Sequence, residues 1–361
     1  MRPFFSVIIP CYNSKPERIR ELFDSIIKAG YNRETEVIIS DDRSTNKTYL
    51  TIVEEYRNKL NNIKIISVPD INEDGIKLIH CPSNTREYGV KNAEGEWITF
   101  IDHDDIFENS IFTNIKNLIK STKEKYLVYN NFKIYNTTTK ETKYLTDHGV
   151  DNWMHGKFYN LDNYWNRFDF HFKTNIKSHE DIVIASKVRC INNKHLENIL
   201  YTNYCAYIWR KWPDSLSHMR SNNGEDYVKY MYDYFEDFVN ATMGIYIEDY
   251  ENLINNRDLS EKSKEFHKDI QADIILFIYF YIQGFKYRYR NNINTNYEAL
   301  AKKYIHEYLD RFEMLPCNLY NYICETHSTG YELWYTTVRN SVYEAFGCFV
   351  ETDTFYDFIS K

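Results

Sequence analysis

The first hundred residues alternate short apolar strands with amphipathic helices, and no other feature of the chain constrains its fold as strongly. Residues 5–10, Phe-Ser-Val-Ile-Ile-Pro, are β-rich and almost continuously apolar, as expected of a strand buried on both faces. Ser14-Lys15-Pro16-Glu17 then reads as a helix start. Ser14 can cap, Glu17 completes a capping box, and Pro16 loses nothing in the first turn by lacking an N–H. Ile19, Leu22, Phe23, Ile26 and Ile27 follow as one apolar stripe that faces a sheet. Residues 36–40 predict a second strand ending at Asp41-Asp42, residues 48–60 a second helix and residues 63–68 a third strand. After a looser segment, residues 85–93 predict a helix, and Gly95 leads into a strand, Trp97-Ile98-Thr99-Phe100-Ile101, that runs straight into Asp102-His103-Asp104-Asp105. Strands and helices in this order, with short connections, imply a parallel, right-handed, doubly wound α/β sheet.

Two of those strands end in acidic residues, and in a parallel sheet both ends emerge on one edge. That edge is where open α/β sheets bind ligands. Carboxylates there can hold Mg²⁺ or Mn²⁺ against phosphates, because hard divalent ions prefer oxygen donors. Asp41 and Asp42 can equally cap the following helix, as can Ser44 and Thr45.

Composition excludes several other classes. The net charge of −8 argues against a general nucleic-acid binder, which would be basic. Seven cysteines with no CxxC pair read as reduced thiols of a cytoplasmic protein rather than a disulfide framework or zinc site. The N-terminus runs directly into a strand, so no signal peptide is expected. The longest apolar run, residues 274–282, is too short to span a bilayer. No G-x-G-x-x-G follows the first strand, which argues against an NAD enzyme. His179-Glu180 fails the H-E-x-x-H pattern of zinc proteases, since Val183 stands where the second histidine belongs. The 33 Tyr and 22 Phe are abundant, a bias that an AT-rich genome explains at least as well as function does.

The motifs resemble those of the inverting glycosyltransferases of family 2, which have the GT-A fold. Val7-Ile8-Ile9-Pro10-Cys11-Tyr12-Asn13 resembles the family's opening "VSVIIPxYN" strand. Val37-Ile38-Ile39-Ser40-Asp41-Asp42-Arg43-Ser44-Thr45-Asn46 resembles "VIVVDDGSTD", with Arg43 where glycine is usual. Asn84-Thr85-Arg86-Glu87-Tyr88-Gly89 resembles "xxARNxG", and the segment from Ala93 to Asp105 resembles "AxGEYIxFLDSDD". His179-Glu180-Asp181 resembles the "ED" motif of the acceptor half. Met154-His155-Gly156-Lys157-Phe158 resembles an "HGK" segment, and residues 209–218 resemble a loop that closes over the diphosphate in many relatives. The likeness covers residues 4–220.

The resemblance implies a GT-A domain over residues 1–222, with a Rossmann-like, mostly parallel sheet flanked by helices. It implies transfer of a sugar from a nucleotide donor, UDP-linked by preference, to an acceptor hydroxyl, with Mn²⁺ or Mg²⁺ as cofactor. Pro10, Tyr12, Asn13, Asp42, Arg86, Asp102 and Arg210 would bind the nucleotide. Asp104 would be the main metal contact, with Asp102 near the ribose or a metal-bound water and His218 as an additional ligand. Asp181 would be the catalytic base, supported by Glu180. The acceptor class stays open among a glycan, a teichoic-acid-like polymer, a protein and hydroxymethylated DNA; a non-catalytic sugar-nucleotide or glycan binder on the same scaffold is the competing class. Residues 223–361 match no family motif. Their spacing of Tyr, Phe and Ile predicts an all-helical module that shapes either the acceptor site or a homo-oligomer interface.

Overall fold

The computed structural model describes residues 2–122, 125–145, 154–177, 180–194 and 199–214, together with the single positions 241 and 306. The chain divides into a unit of residues 1–246 and a unit of residues 247–361. The predicted helical module lies outside the described residues, apart from those two positions.

Nine strands form one sheet among the described residues. Strands β1 (Phe5–Cys11), β2 (Thr35–Asp41), β3 (Ile63–Ser67) and β4 (Trp97–Phe100) are all parallel, in the spatial order β3-β2-β1-β4. The remaining strands are β5 (Ile106–Phe107), β6 (Leu127–Asn136), β7 (Thr142–Leu145), β8 (Lys157–Asn160) and β9 (Ile199–Lys211). Strand β8 joins β4 antiparallel, and the sheet continues through β6 and β9 to β5, with β7 paired to β6. The long β9 runs parallel to β6 and antiparallel to β5, which carries it back past the end of β4.

Successive side chains of a strand point to opposite faces, and β1 shows what that does here. Phe5, Val7, Ile9 and Cys11 enter one apolar cluster with Ile19, Leu22, Phe23 and Ile26 of helix α1 (Pro16–Lys28). The same cluster takes Ile52 and Val53 of α2 (Tyr49–Tyr56) and Ile111, Phe112 and Ile115 of α4 (Ile111–Ser121). Ile8 points the other way, toward Val90 of α3 (Pro82–Lys91) and Ile184 and Val188 of α5 (Glu180–Lys194). The sheet is thus covered on both faces, as the alternation required. The second cluster buries an aromatic group in which Trp165 packs on Phe100, Tyr159, Phe170 and Phe172 at centroid distances of 5.2–5.8 Å. A short π-helical turn, Leu161–Asn166, presents that tryptophan.

Two local expectations are corrected. The helix-start reading required a Ser14–Glu17 capping box, but Lys15 occupies the N-cap of α1 with no side-chain cap bond. Glu17 therefore falls one position short of the third helical residue that a capping box needs. Helix α3 begins at Pro82 rather than residue 85, because Pro82 serves as a first-turn proline that the reading passed over.

The turn from α3 into β4 is locked from beneath by the buried Glu36. Its carboxylate accepts hydrogen bonds from Ser6 Oγ (2.5 Å) and from the backbone N–H groups of Glu94 (2.6 Å) and Gly95 (3.0 Å), and pairs with Lys64 at 2.8 Å. A Cβ at Gly95 would lie 2.6 Å from Ser6 N and 2.8 Å from Phe5 C, both backbone atoms that cannot swing away. Gly95→Ala is expected to destabilise the fold by about 1–3 kcal/mol, the range of an overpacked core, as read from the urea unfolding midpoint.

Candidate active site

The carboxyl ends of β1 and β2 form the first half of the site. Asn13 and Arg43, the residues that turn the chain off these strands, both adopt left-handed backbone (φ 48° and 57°). That explains why a glycine suits position 43. The Asn13 side-chain oxygen accepts from Asn46 N–H (2.9 Å) and Thr45 Oγ1 (3.2 Å), so it staples one strand-end loop to the other. Asp41 accepts from Ser44 N–H (3.2 Å) and Ser44 Oγ (2.5 Å). The buried Asp42 accepts from Cys81 N–H at the start of α3 (2.8 Å) and from Arg43 (3.0 Å). Tyr12 is 46 % exposed, and its ring lies 4.9 Å from that of His80, whose Nδ1 donates to the Asp42 carbonyl oxygen at 2.9 Å. Pro10, Tyr12, Asn13 and Asp42 therefore share one strand edge, but among them only Tyr12 presents a largely open side chain. His80 went unnoticed in the sequence because it sits in the irregular stretch before α3, where no period marks it.

The loop after β4 is held in place by β9. Tyr207 is the hinge of the arrangement: its O–H donates to Asp105 (2.5 Å), while its oxygen accepts from Asp102 N–H (3.2 Å). Asp105 also accepts from Arg210 N–H at 2.6 Å. The Asp104 carbonyl accepts from Arg210 Nε (2.6 Å) and Trp212 Nε1 (3.0 Å). Asp105 is thus a buried anchor, and burial, then the charges of Asp104 and Asp102, push its carboxyl far above the usual range. Asp104 is raised by burial, with the Asp102 charge adding to it. Burial works against the Asp102 carboxylate too. There the Arg86 guanidinium more than offsets it and leaves the group below its ordinary value.

Arg86 ties this loop to the second carboxylate pair. One terminal nitrogen donates to Asp102 at 2.6 Å and the other to Glu180, the first residue of α5. Burial raises Glu180. Asp181 follows on the helix with its carboxyl pushed up to about 7, by burial first and then by the charge of Glu180. Only Ile182 N–H donates to Asp181 within hydrogen-bond distance among the described contacts (2.9 Å). His179 lies outside the described residues. One buried guanidinium thus bridges the acidic end of β4 and the acidic start of α5, an arrangement that no sequence spacing announces.

Ligating atoms of Asp102, Asp105 and His155 lie within 4.8 Å of one another. The His155 ring abuts Tyr207 at 4.4 Å, and burial lowers it to about 4, so it is neutral near pH 7. Arg210 is turned into the protein: beyond its bonds to Asp104 and Asp105 it pairs with Glu21 of α1. The cation that faces the Asp104 carboxylate comes instead from Arg18 of α1, at 3.6 Å. A helical signal for Arg18 existed, since it precedes Leu22 by four residues and continues the buried stripe. His218 and residues 215–220 lie outside the described residues.

Residues 6–199, more than half of the chain, match the family model described as glycosyl transferase family 2. Over 102 residues the chain is 44 % identical to the poly(ribitol-phosphate) beta-N-acetylglucosaminyltransferase TarS of Staphylococcus aureus, a stretch covering 28 % of this chain and 16 % of that protein. Over 101 residues it is 36 % identical to the poly(ribitol-phosphate) beta-glucosyltransferase of Bacillus spizizenii, covering 28 % of this chain and 14 % of that one. The matched stretches therefore span less than a fifth of either relative. Among solved structures, S. aureus TarS 1-349 in complex with UDP-GlcNAc superposes with a TM-score of 0.52 at 21 % identity, covering 96 % of this chain and 82 % of that chain. A longer S. aureus TarS structure gives 0.59 at 20 % identity, covering 94 % and 55 %. At these identities the structural likeness speaks for the GT-A-like fold alone. With its motifs in order along a sheet of that fold and the family model matching residues 6–199, the chain belongs to glycosyl transferase family 2.

Proposed function

We propose that this chain is a metal-dependent inverting glycosyltransferase that moves a sugar from a UDP-linked donor to a hydroxyl of a polyol-phosphate polymer. The observation that carries the reading is the Asp102–Arg86–Glu180 bridge, which ties a carboxylate-bearing strand end to the helix start that carries Asp181, a carboxyl with a raised pKa. Inverting transfer is a single in-line displacement and needs such an opposed pair. Asp181 takes the proton from the acceptor hydroxyl, and Glu180, held by Arg86, fixes the start of its helix. Tyr12 and His80 offer an exposed aromatic surface for a nucleobase. The relatives named above act on poly(ribitol phosphate), which points to the acceptor class.

The donor set fits a hard divalent cation. The Asp102 and Asp104 side chains are 35 % and 18 % exposed and offer carboxylate oxygens two residues apart on the loop after β4. Mn²⁺ or Mg²⁺ bound there would neutralise charge on the departing diphosphate. The free Cys11, Cys81 and Cys205 suit a reducing, cytoplasmic setting. Among the described residues no helix is long and apolar enough to cross a membrane.

A donor screen tests the proposal. Purified protein with poly(ribitol phosphate), Mn²⁺ and a panel of nucleotide sugars is expected to release UDP from UDP-GlcNAc or UDP-glucose, and to stop in EDTA. Nucleotide binding without turnover on any donor would favour a non-catalytic binder on the same scaffold.

A further inference from the structure

We infer that Arg18 is a positioning residue of the metal site: its guanidinium is shared between Asp104 and Asp214, and that division sets how tightly Asp104 takes a divalent cation. The inference rests on the metal-dependent reading above and adds to it a control residue on α1 that no motif contains. Arg18 is 7 % exposed on the buried face of its helix. A charge placed there is costly unless it is paired, so its partners indicate its purpose. They are Asp214 at 2.5 Å, Asp104 at 3.6 Å and the Trp212 ring, whose centroid lies 4.2 Å from the guanidinium carbon. Trp212 in turn donates its indole N–H to the Asp104 carbonyl at 3.0 Å. These three side-chain contacts bear either on Asp104 or on the stretch after β9 that lies against it.

Asp214 has a second cation, Lys15, at 2.7 Å on the half-exposed outer side. Of these two cations Arg18 alone pairs with both carboxylates among the described residues, while the charge of Arg210 also acts on Asp104. A guanidinium beside Asp104 offsets the charge that would attract a metal ion, and it repels a dication arriving there. The repulsion is eased once an anionic diphosphate supplies negative charge to the same cleft. Arg18 accordingly disfavours metal binding alone and favours metal and diphosphate together, a coupling between two ligands that is reciprocal by linkage.

The two partners of Arg18 give opposite signs. Arg18→Gln removes the competing charge and is expected to tighten binding of Mn²⁺ alone on the order of tenfold, the effect of one unit charge a few ångströms away in a partly screened site. Asp214→Asn leaves Arg18 to Asp104 and is expected to weaken it several-fold. Titration of Mn²⁺ into the full chain, followed by electron paramagnetic resonance with and without UDP, reads both. Arg18→Gln should also shrink the gain in Mn²⁺ affinity that UDP brings. A purely structural Arg18 would loosen the site and weaken Mn²⁺ in both variants, which overturns the inference, as does an unchanged affinity in either. If Arg18→Gln fails to fold, Asp214→Asn decides through UDP. Mn²⁺ binding that is weaker alone but gains more from UDP than in the unmodified chain supports the inference, and binding weakened equally with and without UDP, unchanged or tighter overturns it. If the unmodified chain takes up no Mn²⁺ even with UDP, the metal reading itself fails and this inference falls with it. If it does bind and only the variants misbehave, the metal reading stands.

Discussion

Asp181→Asn is expected to lower kcat by about 10²-fold or more, the usual size of losing a general base, while nucleotide affinity changes little. Asp181 sits at the start of α5, a different element from the β1 and β2 ends that would hold the nucleoside, so its loss should act on the chemical step. The wild-type pH profile should carry the same signature. The carboxyl is pushed up to about 7 by burial and by Glu180, and it accepts a proton only when ionised. Turnover should therefore rise as pH increases through about 7, with the apparent value belonging to the Glu180–Asp181 pair as a unit. The stability consequence has the opposite sign. A carboxyl with a raised folded-state pKa binds more protons folded than unfolded across the window between the two values. Folding then loses stability as pH rises through that window. Asp181→Asn, which cannot ionise, should consequently raise the melting temperature at pH 8 by about 2–4 °C while abolishing most activity. Turnover and differential scanning fluorimetry of one preparation check both. Should Asp181→Asn keep its kcat and Glu180→Gln lose it, the base moves one residue along α5.

Asp104→Asn is expected to remove Mn²⁺-stimulated transfer, with a loss of about 10³-fold, typical of deleting a main electrostatic stabiliser of a departing anion, and without a loss of melting temperature. The loop at this point is fixed through its backbone, by Arg210 and Trp212 on the Asp104 carbonyl. The side chain makes one longer ion pair, with Arg18 at 3.6 Å. It also lies beside Asp102 and the buried Asp105, whose carboxyls repel it, so a neutral amide of equal size relieves like-charge crowding. Turnover in a Mn²⁺ series against EDTA is the measurement. A variant with normal Mn²⁺ dependence would remove Asp104 from the metal site.

How much was legible in the sequence differs between the sheet and the site. The run Phe5–Cys11 announces a doubly buried strand because every position is apolar or small, and α1 announces its inner face through Ile19, Leu22, Phe23 and Ile26. These are periodic patterns, and a period is a property of neighbours in the chain. The Asp41-Asp42 and Asp102-to-Asp105 strand ends were legible for the same reason: each follows its strand directly, and parallel pairing brings both to one edge. Helix starts were read less well at Ser14 and residue 85, since Pro16 and Pro82 at first-turn positions set those boundaries without side-chain caps.

The sequence by itself determined the strand–helix order, the parallel core, the edge at which the acidic residues gather and the family to which the motifs belong. All of these follow from short-range pattern. Only the tertiary structure decided how the charges are divided. Arg86 lies 16 residues from Asp102 and 94 from Glu180, and it joins the two only because α3 and α5 cover the same face of the sheet. Arg18 meets Asp214 across 196 residues because β9 crosses back beside the end of β4. Tyr207 reaches Asp105 by the same route, and so turns an acidic residue that looks like a ligand into an anchor. Desolvation acts on whichever groups the fold buries together, and a raised carboxyl such as Asp181 therefore has its cause in neighbours that the linear sequence keeps apart.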